Sequence, residues 1–239
     1  MMKTEPVDFH SFGKSIEDRF IHELDAKPNA AYTKLLDLKN LKGESTGYVK
    51  AMTADRLIKA SSLSINMMPG GRYFNIHIIP EPQYNVPRFV FEGMLTAHGS
   101  QVSMDLFPDI DVVMQIRKLR DQYEGVAKIY DDVRKDEKFQ LEPSRQIHMR
   151  AFTSPFFILI FGVPEIDLPA IEDYAHAYFD EWLTMHRSAE TVSPEEAELR
   201  ARRRLHIAQT TIESDPDRHL VVKVYGEETT RDIEQATMN

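Results

Sequence analysis

RYFNIHIIPEPQYNVPRFVFEGMLTAHGSQVSMDLFP, residues Arg72 to Pro108, carries the strongest structural signal in the chain. Two runs of strand-forming residues flank the turn Pro82-Gln83-Tyr84-Asn85-Val86-Pro87. A third run, Gln101 to Leu106, follows His98-Gly99-Ser100. Short turns between successive strands imply an antiparallel sheet. Within this apolar frame Asn75 interrupts the first run and Glu92 the second. A carboxylate placed in a strand of this kind must be paired, neutralised or used.

Upstream, Lys14 to Leu24 has helical spacing (Ile16, Phe20, Ile21, Leu24) and stops before Pro28-Asn29. The signal then turns to strands: Tyr48-Val49-Lys50, Arg56 to Met67 with Leu57, Ser61, Leu63 and Ile65 on one face, and Tyr73 to Ile79. Met68-Pro69-Gly70-Gly71 fits a hairpin connection, because its glycines accept positive φ. Downstream, helices are expected over Ile110 to Arg134, Leu168 to Arg187 and Pro194 to Ile212. The last opens with Ser193-Pro194-Glu195-Glu196, a capping box with proline at the first helical position. The expected fold class is α/β, a three-layer α/β/α sandwich in which helices flank a central antiparallel sheet. Its 239 residues suffice for one sizeable core, so a single domain over 1–239 is expected.

Composition narrows the function classes. With 42% hydrophobic and 28% charged residues the chain reads as an ordinary globular protein. No apolar run approaches the ~20 residues of a membrane span, and no signal-peptide h-region is present, so a cytoplasmic setting is expected. The absence of cysteine excludes disulfides, cysteine–zinc sites, an iron–sulfur cluster held by this chain and a thiol nucleophile. A net charge of −9 argues against nucleic acid as a main partner. His77 stands alone, and His176 and His186 are ten apart, so no metal-binding spacing emerges. No glycine-rich nucleotide loop links a strand to a helix.

The order of these pieces resembles the ferredoxin-dependent bilin reductases, radical enzymes acting on the open-chain tetrapyrrole biliverdin. In that family a strand, a Pro/Tyr/Pro turn, a strand bearing an active-site Asp and an Asp-Leu-x-Pro follow one another. Here they appear as Pro82-Gln83-Tyr84-Asn85-Val86-Pro87, then Phe89-Val90-Phe91-Glu92, then Asp105-Leu106-Phe107-Pro108. Thr153-Ser154-Pro155 is similar to the family's Ser-Pro segment, and Asp215-Pro216-Asp217-Arg218 with Tyr225-Gly226-Glu227-Glu228-Thr229 to its ending. The likeness runs from about Asp55 to Glu234. It implies the same sandwich fold, biliverdin as substrate, reduced ferredoxin as electron source and no permanently bound cofactor. It also implies a cyanobacterial, phage-infected or plastid-like setting.

By the same resemblance Glu92 and Asp215 are the expected catalytic acids, with Glu92 one methylene longer than the family's Asp. Asn75, seventeen residues before Glu92, occupies a position that is Asn in phycoerythrobilin-type members, which implies phycoerythrobilin by way of dihydrobiliverdin. Arg150 is a candidate propionate partner, since Arg pairs bidentately with carboxylates, and Asp105 a further substrate-side acid. Ferredoxin is acidic, so docking needs a basic patch: Arg117, Lys118 and Arg120, or Arg200, Arg202, Arg203 and Arg204. Two other readings stay open. A tetrapyrrole carrier or lyase-like chaperone would need the apolar pocket without the acids, and an acid–base enzyme would use Glu92 and Asp215 on a small substrate. Taken without the family, Glu92 also reads as a solvent-facing strand residue and Asp215 as a turn former.

Overall fold

A computed structural model describes residues 11–68, 71–96 and 99–238. Among these, eight strands form one antiparallel sheet: β1 (Lys27–Pro28), β2 (Leu38–Lys39), β3 (Ser45–Thr53), β4 (Leu57–Met68), β5 (Gly71–Pro80), β6 (Arg88–Thr96), β7 (Ser100–Phe107) and β8 (Ile158–Val163). From β3 to β8 each strand pairs with the next in sequence, as short connections between alternating runs require. Residues 69–70 and 97–98 of the two expected tight connections lie outside the described residues, while the strands beside them pair antiparallel.

Side-chain alternation sends two different sets of residues to the two faces. One face takes Phe74, Ile76 and Ile78 of β5, Phe89 and Phe91 of β6, and Val102, Met104 and Leu106 of β7. Against it pack α1 (Lys14–Glu23), α2 (Ile116–Gln122), α3 (Glu124–Lys135) and α5 (Leu168–Arg187), through Ile16, Phe20, Val126, Tyr178 and Trp182 among others. Phe74 sits edge-on to both Phe12 and Phe91, with centroids 5.2 and 5.0 Å apart. A Cβ at Gly93 would lie 2.6 Å from the Phe74 ring, so the residue next to Glu92 has to be glycine for this aromatic packing to close. Glu17 of α1 is buried against the same face and ties helix to sheet through Lys50, Ser62 and Tyr48.

The other face is covered by α4 (Ile147–Phe152), α6 (Pro194–Ser214) and α7 (Arg218–Thr237), completing the three-layer sandwich. Ser61, Leu63 and Ile65 of β4 point to this side. Leu57 does not share it as expected: the register shifts between Leu57 and Lys59, which reverses the parity of the strand's first residue and seats Leu57 in the other core. The expected helix over Ile110 to Arg134 is two helices, because Tyr123 leaves helical geometry between α2 and α3 and donates its hydroxyl to the Leu106 carbonyl (2.8 Å). Gly226 (φ 80°, ψ 163°) kinks α7, and Arg218 staples its two legs by pairing with Glu227 and Glu234.

Both sheet edges are short or covered. Beyond β8, Leu141 bridges Ile160 and the Glu142 amide donates to the Leu159 carbonyl (2.9 Å). At the far side the two-residue strands β1 and β2 share the outer edge of β3. No helix among the described residues is long and apolar enough to cross a membrane.

Candidate active site

On the α4/α6/α7 side the sheet floor is polar where the opposite face is aromatic. Tyr73, Asn75 and His77 of β5, Arg88 and Glu92 of β6, and Gln101 and Ser103 of β7 line a cleft there. The cleft encloses about 1090 Å³ between its walls, open solvent at its mouth included. Its far wall is mostly apolar, with Met149, Phe152, Ile207 and Met238 opposite the floor.

The turn between β5 and β6 fixes a register in which Asn75 faces Glu92, and the next pairing sets Glu92 against Ser103. Glu92 therefore stands mid-floor, half-buried, with a donor on either side and a third one step along the strand. Its Oε2 accepts from the Asn75 amide (3.1 Å) and the Tyr73 hydroxyl (3.2 Å), and its Oε1 from the Ser103 hydroxyl (2.9 Å). Burial, reinforced by the neighbouring Glu92 charge, pushes the Tyr73 phenol well above its ordinary pKa, so Tyr73 stays a donor.

Asp215 reaches the same cleft from the other wall. It is the C-cap of α6, accepts the Asp217 amide (2.8 Å), and adds to the negative field acting on Tyr73. The structure thus brings Asn75, Glu92 and Asp215 to one cavity.

Asp105 and Arg150 sit elsewhere. The Asp105 carboxyl is fully buried outside the lining and takes the Ser154 amide (2.7 Å), the Ser154 hydroxyl and the Leu106 amide (2.8 Å). Burial pushes its pKa up to about 6 despite these bonds. It latches β7 to the segment after α4, which explains why the Asp-Leu-x-Pro and Ser-Pro elements occur together. Arg150 lies on the exposed side of α4 and donates to the Ser144 carbonyl, so it does not reach the cleft.

Sequence reading overlooked Tyr73, Ser103, His77 and Arg88. His77 is buried; its Nδ1 lies 3.0 Å from the Thr237 carbonyl, which can only accept, so Nδ1 carries the proton. Burial and then the Arg88 charge hold its pKa down at about 3, so the ring is neutral. Arg88 and Arg204 both engage the buried carboxylate of Asp109, an arrangement carrying one surplus positive charge beneath the cleft. Period-two alternation from Asn75 and Glu92 would have identified Tyr73, His77 and Arg88, since all three share their face.

Of the basic candidates, Arg200 and Arg204 are corrected to interior residues. Arg200 pairs with Glu196 (3.0 Å) and donates to the Tyr84 carbonyl, and Arg204 engages Asp109. Arg117, Arg120 and Arg202 are exposed, and Lys118 bridges to Glu196 (3.3 Å), bringing the two expected clusters side by side. Among the described residues no group of His, Asp and Glu side chains is arranged to hold a metal.

Over 94% of its length the chain is similar to a phytochromobilin synthase from tomato, solved in complex with biliverdin, with a TM-score of 0.78 over 81% of that chain and 16% identity. That likeness establishes the fold. No protein-family model matches the sequence, and no curated protein does.

Proposed function

We propose that this protein is a ferredoxin-dependent bilin reductase that takes biliverdin into the cleft and yields phycoerythrobilin through dihydrobiliverdin. The observation that carries this reading is Glu92: a carboxyl group at the centre of a half-apolar cleft, held by three neutral donors, with a second carboxyl, Asp215, on the opposite wall. One further support is independent of it: the fold is that of a protein crystallised with biliverdin.

Each two-electron stage consumes two electrons, delivered singly by reduced ferredoxin, and two protons. An electron enters a neutral conjugated system easily only when a proton neutralises the charge it adds, so an acid beside the substrate sets the rate. Glu92 delivers a proton from the sheet side in the first stage and is recharged from solvent through the open mouth. Asp215, on the α6–α7 connection, serves the second. Asn75 cannot titrate near neutrality; its amide holds Glu92 and offers hydrogen bonds to a lactam. The apolar wall of Met149, Phe152 and Ile207 accepts the flat rings.

Mixing the full chain with biliverdin and then adding a ferredoxin-reducing system tests this directly. The expected result is a stoichiometric spectral shift, then loss of biliverdin and formation of phycoerythrobilin on chromatography. A spectral shift without turnover would identify a carrier, and no shift at all would remove bilins from consideration. Phycocyanobilin as the main pigment would overturn the role given to Asn75, and turnover with NADPH alone would overturn the electron source.

A further inference from the structure

Among the described residues His77 is the one histidine on the cleft floor, and its polar atoms are unequally used. It stands on β5 two residues from Asn75, opposite Val90 of β6, and is 7% exposed. Its Nδ1–H is committed to the Thr237 carbonyl at the end of α7. That fixes the tautomer and leaves Nε2 a lone-pair acceptor. Among the described residues Nε2 has no hydrogen-bond partner, although it is buried. Buried acceptors of this kind are ordinarily satisfied, and an exception in a cavity wall calls for a missing donor. The surrounding charge rules out one way of satisfying it: Arg88 and Arg204 outnumber Asp109, so the ring does not gain a proton at Nε2.

The geometry points to His77 as a further binding residue, whose Nε2 accepts a hydrogen bond from an N–H group of the bound ligand. This rests on the bilin reading above, under which the donor is a ring or lactam N–H of the tetrapyrrole. The role differs from those of Glu92 and Asp215, because a neutral imidazole protonated only at Nδ1 supplies no proton to the substrate. It orients the bilin in the cleft by rewarding the pose that places an N–H over β5 beside Asn75. The same ring joins ligand to the end of α7, since its other nitrogen holds Thr237 and the next residue, Met238, lines the cleft.

Two isosteric variants separate the two nitrogens. In His77→Asn the amide nitrogen still donates to the Thr237 carbonyl but nothing remains at the Nε2 position. In His77→Gln the amide oxygen takes the Nε2 position and the Thr237 bond is lost. Biliverdin titrations followed by absorbance should show His77→Asn binding about tenfold more weakly, the loss of one neutral hydrogen bond. His77→Gln should stay within about threefold of wild type on the same grounds. As a measurement independent of any variant, the unprotonated Nε2 resonance of His77 in ¹⁵N-histidine-labelled wild type should move to lower frequency when biliverdin is added. Unchanged affinity in His77→Asn, or an Nε2 resonance that stays put while biliverdin binds, overturns the assignment and leaves the functional reading intact. A wild-type protein that binds no biliverdin overturns that reading and this inference with it.

Discussion

Glu92→Gln keeps the size of the side chain and a hydrogen-bonding end, yet removes the transferable proton. Biliverdin should bind as before while the first reduction slows by ~10²–10⁴, read in single-turnover spectra. Asp215→Asn should let two electrons through and accumulate dihydrobiliverdin; a complete block of the first stage would refute the sequential assignment. Titration of His77 and Asp105 gives opposite pH effects on folding. His77, held down at about 3 from 6.5, binds its proton only on unfolding, so its contribution is present above pH 6.5 and is lost as pH falls. Between pH 7 and 5 this amounts to roughly 2 kcal/mol. Asp105, raised from 3.8 to about 6, binds its proton more readily in the folded state and returns about 1 kcal/mol over the same interval. Urea unfolding at the two pH values should therefore show His77→Asn losing less stability on acidification than wild type. That Asn75, Glu92 and Asp215 share one cavity was legible in the sequence because motif order marks them. His77 was passed over as isolated, since metal spacing was sought along the chain rather than across the strands. Arg150 lies outside the cleft, and nothing in the sequence says which side of a six-residue helix faces a cavity.

Strands were the most legible elements, as β5 to β7 alternate apolar and polar residues along the sequence. The long helices α5 and α6 were also visible from their 3.6-residue spacing and their Pro-containing starts. The final helix α7 was not, because Gly226 breaks its periodicity half-way and only the Arg218 pairs with Glu227 and Glu234 join the two legs. Gly226 adopts a backbone region open essentially to glycine alone, while the space beside it is free, its hypothetical Cβ lying 3.5 Å from Leu41. Gly226→Ala should accordingly cost about 1–3 kcal/mol through backbone strain rather than through collision. Thermal unfolding should register the loss. Because the second leg carries Thr237 and Met238 to the cleft, biliverdin affinity should fall with it.

Across the whole molecule the net charge of −9 opposes approach of another acidic protein, so productive encounter has to use a local exception. On the reading proposed above, the exposed Arg117 and Arg202, on the two helices joined by the Lys118–Glu196 bridge, are the candidates for that exception. Arg117→Glu and Arg202→Glu should raise the KM for ferredoxin and flatten its dependence on ionic strength, with biliverdin binding unchanged; equal ferredoxin KM values across a salt series would exclude this surface. The three-layer architecture was expected from the sequence, but the inward turn of Arg200 and Arg204 was not, since a run of arginines on a helix reads as solvated until the sheet's buried carboxylate at Asp109 is known.

The same architecture limits what the sheet edges offer to another chain. A long antiparallel sheet offers, at each flank, unpaired amides and carbonyls on which a foreign strand can grow. Here one flank is capped by the Leu141–Glu142 segment, and the other is broken into two-residue pieces containing Lys27, Pro28 and Lys39. Proline removes a donor, and the lysines would have to be stripped of water by any chain that docked there. Strand-by-strand growth from these flanks is thereby disfavoured.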